Sequence, residues 1–459
     1  MSSRLRHPLV AVAFALALTL PWVVSSLTGM VESFSEGVVV AVSGLAVLGA
    51  SFLLAWGAET AEKDVPRAFA LAILAVLAVA PEYAVDALYA WTAGANAGTA
   101  RGAEAANLAV ANMTGANRIL IGLGWSGIAL FTVYRSGSSE DPAVEQRAGA
   151  LRDAVKLDRD IATEITFLLA ATAFAFFVPL SMGTFNGAAG NAIGGIGIID
   201  TVILVGLYLL YIAIIIRGDV EEHEEQVGVP AYLQSFSKGP RIASVLILFG
   251  YSGVMIFTAV EPFAHGLEQL GQAIGIPSFF MIQWIAPLAS ESPELIVVAY
   301  LVNKARSTAG FNALISSKLN QWTLLIGTLA VVYSIALGAL GTLPFDMKQV
   351  AEIWITAAQS LFAIAILTNF EITVREALAL LFLFVTQVAA EFAVIRLFSE
   401  TVASTYSLWI LYAYTVVYLA LGIGLFATRR SELRKMVSKA ASTARNAFGG
   451  SESAPGTAD

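Results

Sequence analysis

The chain has 459 residues, of which 57% are hydrophobic and only 13% charged, with a mean hydropathy of +0.75. Soluble domains carry roughly 25% charged residues, so the composition excludes a soluble globular protein and indicates a polytopic membrane protein. Most charged residues sit in loops and tails, so the net charge of −8 says little, and the absence of cysteine excludes disulfides, thiolate metal sites and thiol nucleophiles.

Residues 1–30 carry Arg4 and Arg6 and then an apolar run from Pro8 to Val24. No small-x-small cleavage pattern follows, so this segment reads as a retained extra helix rather than a secretory signal. Apolar runs of about 20 residues, the length that crosses a bilayer, place twelve helices at 8–28, 35–58, 67–92, 105–134, 160–180, 198–216, 242–262, 276–302, 311–338, 350–369, 377–397 and 405–427. Loop charge tests this count. With the N-terminus in the cytoplasm, 21 Lys and Arg fall on the cytoplasmic side and 3 (Arg101, Lys348 and Arg396) on the other; Arg118 and Lys318 lie within helices. That bias follows the positive-inside rule and puts both termini in the cytoplasm, with the plasma (cell inner) membrane as the expected location.

The 25 residues or so from Arg135 to Arg159 mix both signs and read as a cytoplasmic surface helix. Residues 218–241 form an acidic cytoplasmic loop with Asp219, Glu221, Glu222, Glu224 and Glu225, read as a solvated connection. Residues 398–427 hold a second extra helix. The tail 428–459 is first basic and helix-prone, suited to lie on anionic lipid, and beyond Gly449 small and polar, as disordered segments are.

Two stretches break the apolar pattern in the same way. Ala80-Pro81-Glu82-Tyr83-Ala84-Val85-Asp86 and Ser290-Glu291-Ser292-Pro293-Glu294 each set proline directly before glutamate inside a membrane span. Carboxylates there are costly and mark ion pathways. Each proline lacks an N–H and so frees the carbonyl four residues back, at Leu77 and Ala289. A freed carbonyl beside a carboxylate suits a hard cation. An amide-bearing helix follows each, through Asn112 to Asn117 and through Leu314 to Asn320. In the twelve-span topology the Pro81 helix runs from inside to outside and the Pro293 helix the opposite way. The expected fold is therefore an all-α polytopic membrane protein with two inverted five-helix repeats, 35–217 and 242–397, and one extra helix at each end. Inverted repeats with broken helices at mid-membrane are the pattern of secondary transporters.

Two carboxylates, Glu82 and Glu294, would neutralise one divalent ion, with amides and carbonyls filling the rest of its shell. Asn117 and Asn320 read as amide ligands or as helix-bridging groups. Asp86, one turn beyond Glu82, and Glu291, three residues before Glu294, share those faces. Each reads as a proton carrier or as the ion-pair partner of Arg118 or Lys318. Lys318 lies about 200° around its helix from Asn320 and is expected to point away from the ion and snorkel to the surface. Arg118 is roughly 20 Å of helix rise from the outer end and needs an acid partner. Asp86 is the first choice, with Glu291 and Glu391 as alternatives.

These motifs resemble the alpha repeats of the sodium/calcium exchanger superfamily of calcium/cation antiporters. The matches are Pro81-Glu82 with Gly115-Ala116-Asn117, and Ser292-Pro293-Glu294 with Lys318-Leu319-Asn320. The resemblance implies a ten-helix inverted-repeat core with cations at the centre of four motif helices, and calcium exchanged against sodium or protons by alternating access. It implies Glu82 and Glu294 as charged ligands and Asn117 and Asn320 as amide ligands. It also implies hydroxyls one turn before the ligands, present at Ser290 and Ser316 but replaced by Ala78 and Met113 in the first repeat. The chain departs from the family pattern at Lys318, usually glycine, at Arg118, usually apolar, and at Asn320, where an aspartate can stand.

A monovalent sodium/proton antiporter on the same scaffold, which would not need both glutamates ionised, is the alternative, and a passive cation channel is the alternative of another class. An enzyme is not expected, since no nucleophile triad, zinc set or phosphate loop is present and the histidines (His7, His223 and His265) are scattered. The expected partners are inorganic cations and the lipid bilayer, with no cofactor and no nucleic acid, and a single chain is expected to suffice for transport.

Overall fold

The computed structural model describes residues 7–64, 80–136, 141–149, 151–180, 194–217 and 228–448, apart from the Pro293 side chain. The first half contains helices α1 (Pro8–Thr28), α2 (Glu36–Ala61), α3 (Ala80–Ala95), α4 (Ala100–Ile119), α5 (Ser126–Ser136), α6 (Ala162–Ala175) and α7 (Ile198–Arg217). A short α8 (Gly228–Gln234) leads into the second half: α9 (Lys238–Ile274), α10 (Ser278–Asn303), α11 (Ser307–Asn320), α12 (Ile326–Leu337), α13 (Met347–Leu367) and α14 (Val374–Leu397). Helices α15 (Glu400–Thr428) and α16 (Arg430–Phe448) complete the chain.

Among the described residues ten helices are long and apolar enough to cross a membrane, and α10 makes eleven when its two limbs count as one span. The limbs, Ser278–Ser292 and Glu294–Asn303, meet at a bend of 49°, where proline at position 293 offers no backbone N–H donor. The third span expected from sequence is described only from Ala80. Leu77, whose carbonyl Pro81 was expected to free, lies outside the described residues.

Five short strands reveal the internal symmetry. β1 (Val144–Glu145), β2 (Ala154–Lys156), β3 (Gly194–Ile196), β4 (Leu343–Phe345) and β5 (Glu371–Thr373) sit in the loops. β2 precedes α6, the fourth helix of the first repeat, and pairs antiparallel with β5, which precedes the fifth helix of the second. β3 precedes α7, the fifth helix of the first repeat, and pairs with β4, which precedes the fourth of the second. Exchanging the two repeats converts one pairing into the other, as a two-fold axis in the membrane plane requires. The helices that follow β2 and β4 repeat the relation in side chains. Asp158 accepts from Asp160 N and Asp346 from Lys348 N at the helix starts. Six residues after each stands a buried glutamate, Glu164 or Glu352.

Loop contacts agree with the topology derived from charge. The β2–β5 ladder, the Asp64–Arg241 ion pair at 2.5 Å and the Lys439–Asp160 pair at 2.7 Å each join segments assigned to the Lys/Arg-rich face. The β3–β4 ladder and the Arg396 bond to the Ile274 carbonyl at 2.8 Å join segments assigned to the other face. An odd number of missed helices between any such pair would have set its members on opposite faces.

Small residues let the central helices touch. A Cβ at Gly115 on α4 would stand 1.8 Å from the Gln283 carbonyl oxygen on α10, and one at Gly94 on α3 would stand 2.3 Å from that of Tyr333 on α12. Between lipid-soluble helices, where water drives no association, such close van der Waals packing is the main attraction. Large apolar side chains such as Phe257, Phe382 and Trp409 remain exposed on the outer helices, as lipid-facing positions should.

One expectation about the loops is corrected. The segment from Arg135 to Arg159 is not a surface helix: its described part pairs β1 with β2 and so extends the β5 ladder. Val155 and Ala154 are buried there, and the β-branched valines favour the pleated arrangement. The basic tail does form a helix, α16, but its apolar residues Met436 and Ala440 are buried within the protein. Lys439 pairs with Asp160, and the Arg217 guanidinium lies 4.8 Å from the Phe448 ring centroid, so this face of α16 meets the α6 and α7 region.

Candidate cation site at the repeat interface

The site is built where α3, α4, α10 and α11 converge. Asn117 and Asn320 lie near the middle of the continuous spans Ala100–Ser136 and Ser307–Leu337. Soon after each asparagine the helix loosens into a π-turn, Leu120–Trp125 in the first repeat and Gln321–Leu325 in the second. Such turns shift backbone bonds from i→i−4 to i→i−5 and concentrate at functional sites. No reading of side-chain pattern alone indicated them.

Glu82, 3% exposed, meets the Ser290 hydroxyl of α10, so the Pro-Glu helices of opposite repeats bring their polar groups together. Glu294 lies close enough to act on the charge of Glu82. Its Oε2 accepts from the Ser317 hydroxyl of α11 at 3.0 Å. Ser317, not Ser316, is therefore the hydroxyl that reaches this carboxyl; Ser316 lies on the exposed side of α11. Both are within one turn of Asn320, and the approach of α10 decides between them. Glu291 is buried, shares a hydrogen bond with Glu294 and accepts from the Gln321 amide of α11. Ala289 is partly buried one turn before Pro293.

Among the described residues no three His, Cys, Asp or Glu side chains stand close enough to hold a metal ion. A cation held by Glu82 and Glu294 would take its remaining oxygens from hydroxyls, amides and backbone. Glu82 and Glu294, with Ser290 and Ser317, form that kind of set, and hard cations accept it.

Asp86 does not join the set. One carboxyl oxygen accepts from Asn112 Nδ2 at 2.9 Å, and the other is buried without a hydrogen-bond partner. Nor does it pair with Arg118, as expected from sequence. Arg118 donates to Glu352 Oε2 at 2.7 Å and to Gln387, and stacks 5.0 Å from the Trp284 ring centroid. The reason is angular. Asn112 and Arg118 are six residues apart, about 240° around the helix. Asn112 faces α3, while Arg118 faces α13 and α14. Gln283 adds a second bond to Glu352 Oε2 at 2.8 Å. Glu391, the alternative partner, connects only through Gln387 at 3.0 Å; it also accepts from Ser407 at 2.6 Å and lies 3.5 Å from Lys348. Glu352, Gln283 and Gln387 were not singled out in the sequence, because none of them stands in a Pro-Glu motif.

Lys318 is a further correction. It is fully buried and does not snorkel. Its Nζ donates to Asn117 Oδ1 at 2.6 Å and to the Asn117 carbonyl at 3.2 Å, and lies 4.5 Å from the Trp322 ring centroid. Turning 200° from Asn320 does lead away from that residue. In an inverted pair, however, α11 has protein on both sides, so the turn leads to the other repeat's asparagine.

The family described as sodium/calcium exchanger protein matches residues 35–217 and 244–393. A crystal structure of the H+/Ca2+ exchanger CAX is 41% identical, covering 95% of this chain and 98% of its own, with a TM-score of 0.79. The structure of native YfkE shares the fold at 15% identity and a TM-score of 0.54, covering 83% of this chain and 98% of that one. No curated protein sequence matches. The two matched segments take in both Pro-Glu helices and both asparagine helices, and the chain belongs to the sodium/calcium exchanger family of cation antiporters.

Proposed function

We propose that the chain exchanges calcium, or a related divalent cation, for protons, with Glu82 and Glu294 as the charged ligands and Ser290, Ser317 and Asn320 as neutral neighbours. The observation that carries this reading is the meeting of two Pro-Glu helices from opposite repeats at one buried place, Glu82 against Ser290 and within electrostatic reach of Glu294. Two carboxylates balance a divalent charge, and the same carboxyls can take protons when the metal leaves. The similarity to a protein titled H+/Ca2+ exchanger supports protons as the counter-ion. Repeats 35–217 and 242–397 would rock about the site, with the Lys/Arg-rich face in the cytoplasm.

The test is calcium uptake into liposomes bearing the purified chain, with a pH dye inside. Proton efflux that follows calcium entry in sodium-free buffer is the expected result. Calcium uptake that requires sodium and moves no protons would overturn the proton assignment, and sodium–proton exchange unaffected by calcium would overturn the divalent one.

A further inference from the structure

We infer that Lys318 is a built-in cation that occupies a ligand position at the exchange site and so lowers by one the positive charge that each transport cycle must carry. The inference rests on the cation-site reading above and assigns a coupling role to a residue outside its ligand set.

The geometry is that of an ion with its ligands. Lys318 Nζ sits 2.6 Å from Asn117 Oδ1 and 3.2 Å from the Asn117 carbonyl, with the face of Trp322 at 4.5 Å. An amide oxygen, a backbone carbonyl and an aromatic face are all partners suited to a monovalent cation. The asparagine is prepared for this. Its Nδ2 is tied back to the Met113 carbonyl at 2.8 Å, which turns Oδ1 outward, and the π-turn starting at Leu120 disturbs the ladder near its backbone oxygen. Lys318 is 0% exposed, so bulk solvent does not reach it. No described carboxylate lies within ion-pair distance of it; Glu291 is close enough to act on its charge and is itself within reach of Glu82 and Glu294.

The internal symmetry sharpens the point. Asn117 and Asn320 correspond, so Lys318 corresponds to Gly115. Gly115 is used for backbone contact with Gln283. The second repeat spends the equivalent position on an ammonium that crosses to the first repeat's asparagine. The side chain is tethered, so its charge cannot be exported. An exchanger without it would need a mobile cation there, and sodium is the one that oxygen ligands of this kind accept.

The experiment uses the full chain in liposomes, with calcium exchange measured at a clamped membrane potential while sodium is varied. Wild-type exchange is expected to ignore sodium, and Lys318→Arg, which keeps the charge, to remain sodium-indifferent. Lys318→Met is expected to make calcium exchange respond several-fold to sodium and to raise the counter-charge moved per calcium by one elementary charge. Removing the amide as well, in Lys318→Met with Asn117→Ala, should abolish the sodium response. Sodium indifference with unchanged charge per calcium in Lys318→Met would overturn the inference, as would sodium-driven exchange in the wild type. If Lys318→Met fails to insert, Lys318→Gln carries the same expectations, and the wild-type sodium titration still decides. Failure of the underlying site reading is distinct: Glu294→Gln with full calcium exchange in an otherwise wild-type chain would remove the site itself.

Discussion

Replacing Glu352 tests the buried network that holds α4 against α13 and α14. Arg118 and Glu352 are 2.7 Å apart, with side chains 2% and 0% exposed, and Gln283 bonds the same carboxyl oxygen at 2.8 Å. Glu352→Ala leaves a guanidinium with only Gln387 and the Trp284 face. Removing one member of a buried pair costs roughly 3–5 kcal/mol, a change on the order of a hundred- to several-thousandfold in the folded-to-unfolded ratio. Glu352→Gln keeps the shape and an acceptor oxygen but loses charge assistance, and should cost about 1–2 kcal/mol. Removing both charges, in Arg118→Met with Glu352→Met, should return most of the loss, giving a coupling of about 3 kcal/mol. Equilibrium unfolding in mixed micelles, with gel filtration to confirm a folded starting state, measures these differences. Additive single effects would refute the pairing. Asp86→Asn serves as the contrast: combined with Arg118→Met it should add without coupling, because Asp86 bonds Asn112.

Glu82→Gln and Glu294→Gln should each nearly abolish calcium exchange while the protein still elutes as a folded species; wild-type exchange in both would move the site elsewhere. Ser317→Ala, which removes the 3.0 Å bond to Glu294, should weaken calcium affinity more than Ser316→Ala, as read from the calcium dependence of uptake. Tags placed after Gly449 should be labelled only from the same side as tags beside Asp64, and tags in residues 183–197 only from the other. Labelling the first two from opposite faces would break the topology. Arg241 bonds Asp64 and the Phe236 carbonyl at 2.8 Å, and its guanidinium holds the Asp64 carboxyl below its ordinary range. The resulting stability is present above the ordinary carboxylate pKa and is lost only as pH falls through the lowered value. Asp64→Asn should therefore loosen the α8 region at pH 7 and at pH 5 alike, seen as faster proteolysis within residues 228–237.

Much of the architecture was legible in one dimension because a bilayer imposes a length and a charge asymmetry on any chain that crosses it. Apolar runs located the helices, and the uneven Lys/Arg distribution sorted the loops onto faces that the β2–β5, β3–β4 and Asp64–Arg241 contacts share. Proline beside glutamate marked α3 and α10 because each residue is expensive in a membrane helix and both together are rarely accidental. The β1–β2 hairpin escaped notice because its strands are two and three residues long, too short for an alternating pattern to emerge.

Partner choice was not in the sequence. Position along a helix gives the angle at which a side chain leaves it, but not which neighbour waits at that angle. Arg118 found Glu352 and not Asp86 because α13 lies where α4 turns that face. Lys318 was turned correctly away from Asn320 and met Asn117, since the inverted repeat put a second asparagine on the far side of α11. Composition and spacing determined that this chain crosses a membrane, is duplicated and carries paired acids at its centre. Tertiary packing alone decided which charges those acids face, because in a low-dielectric interior each buried cation must take the partner that the helix crossing brings within reach.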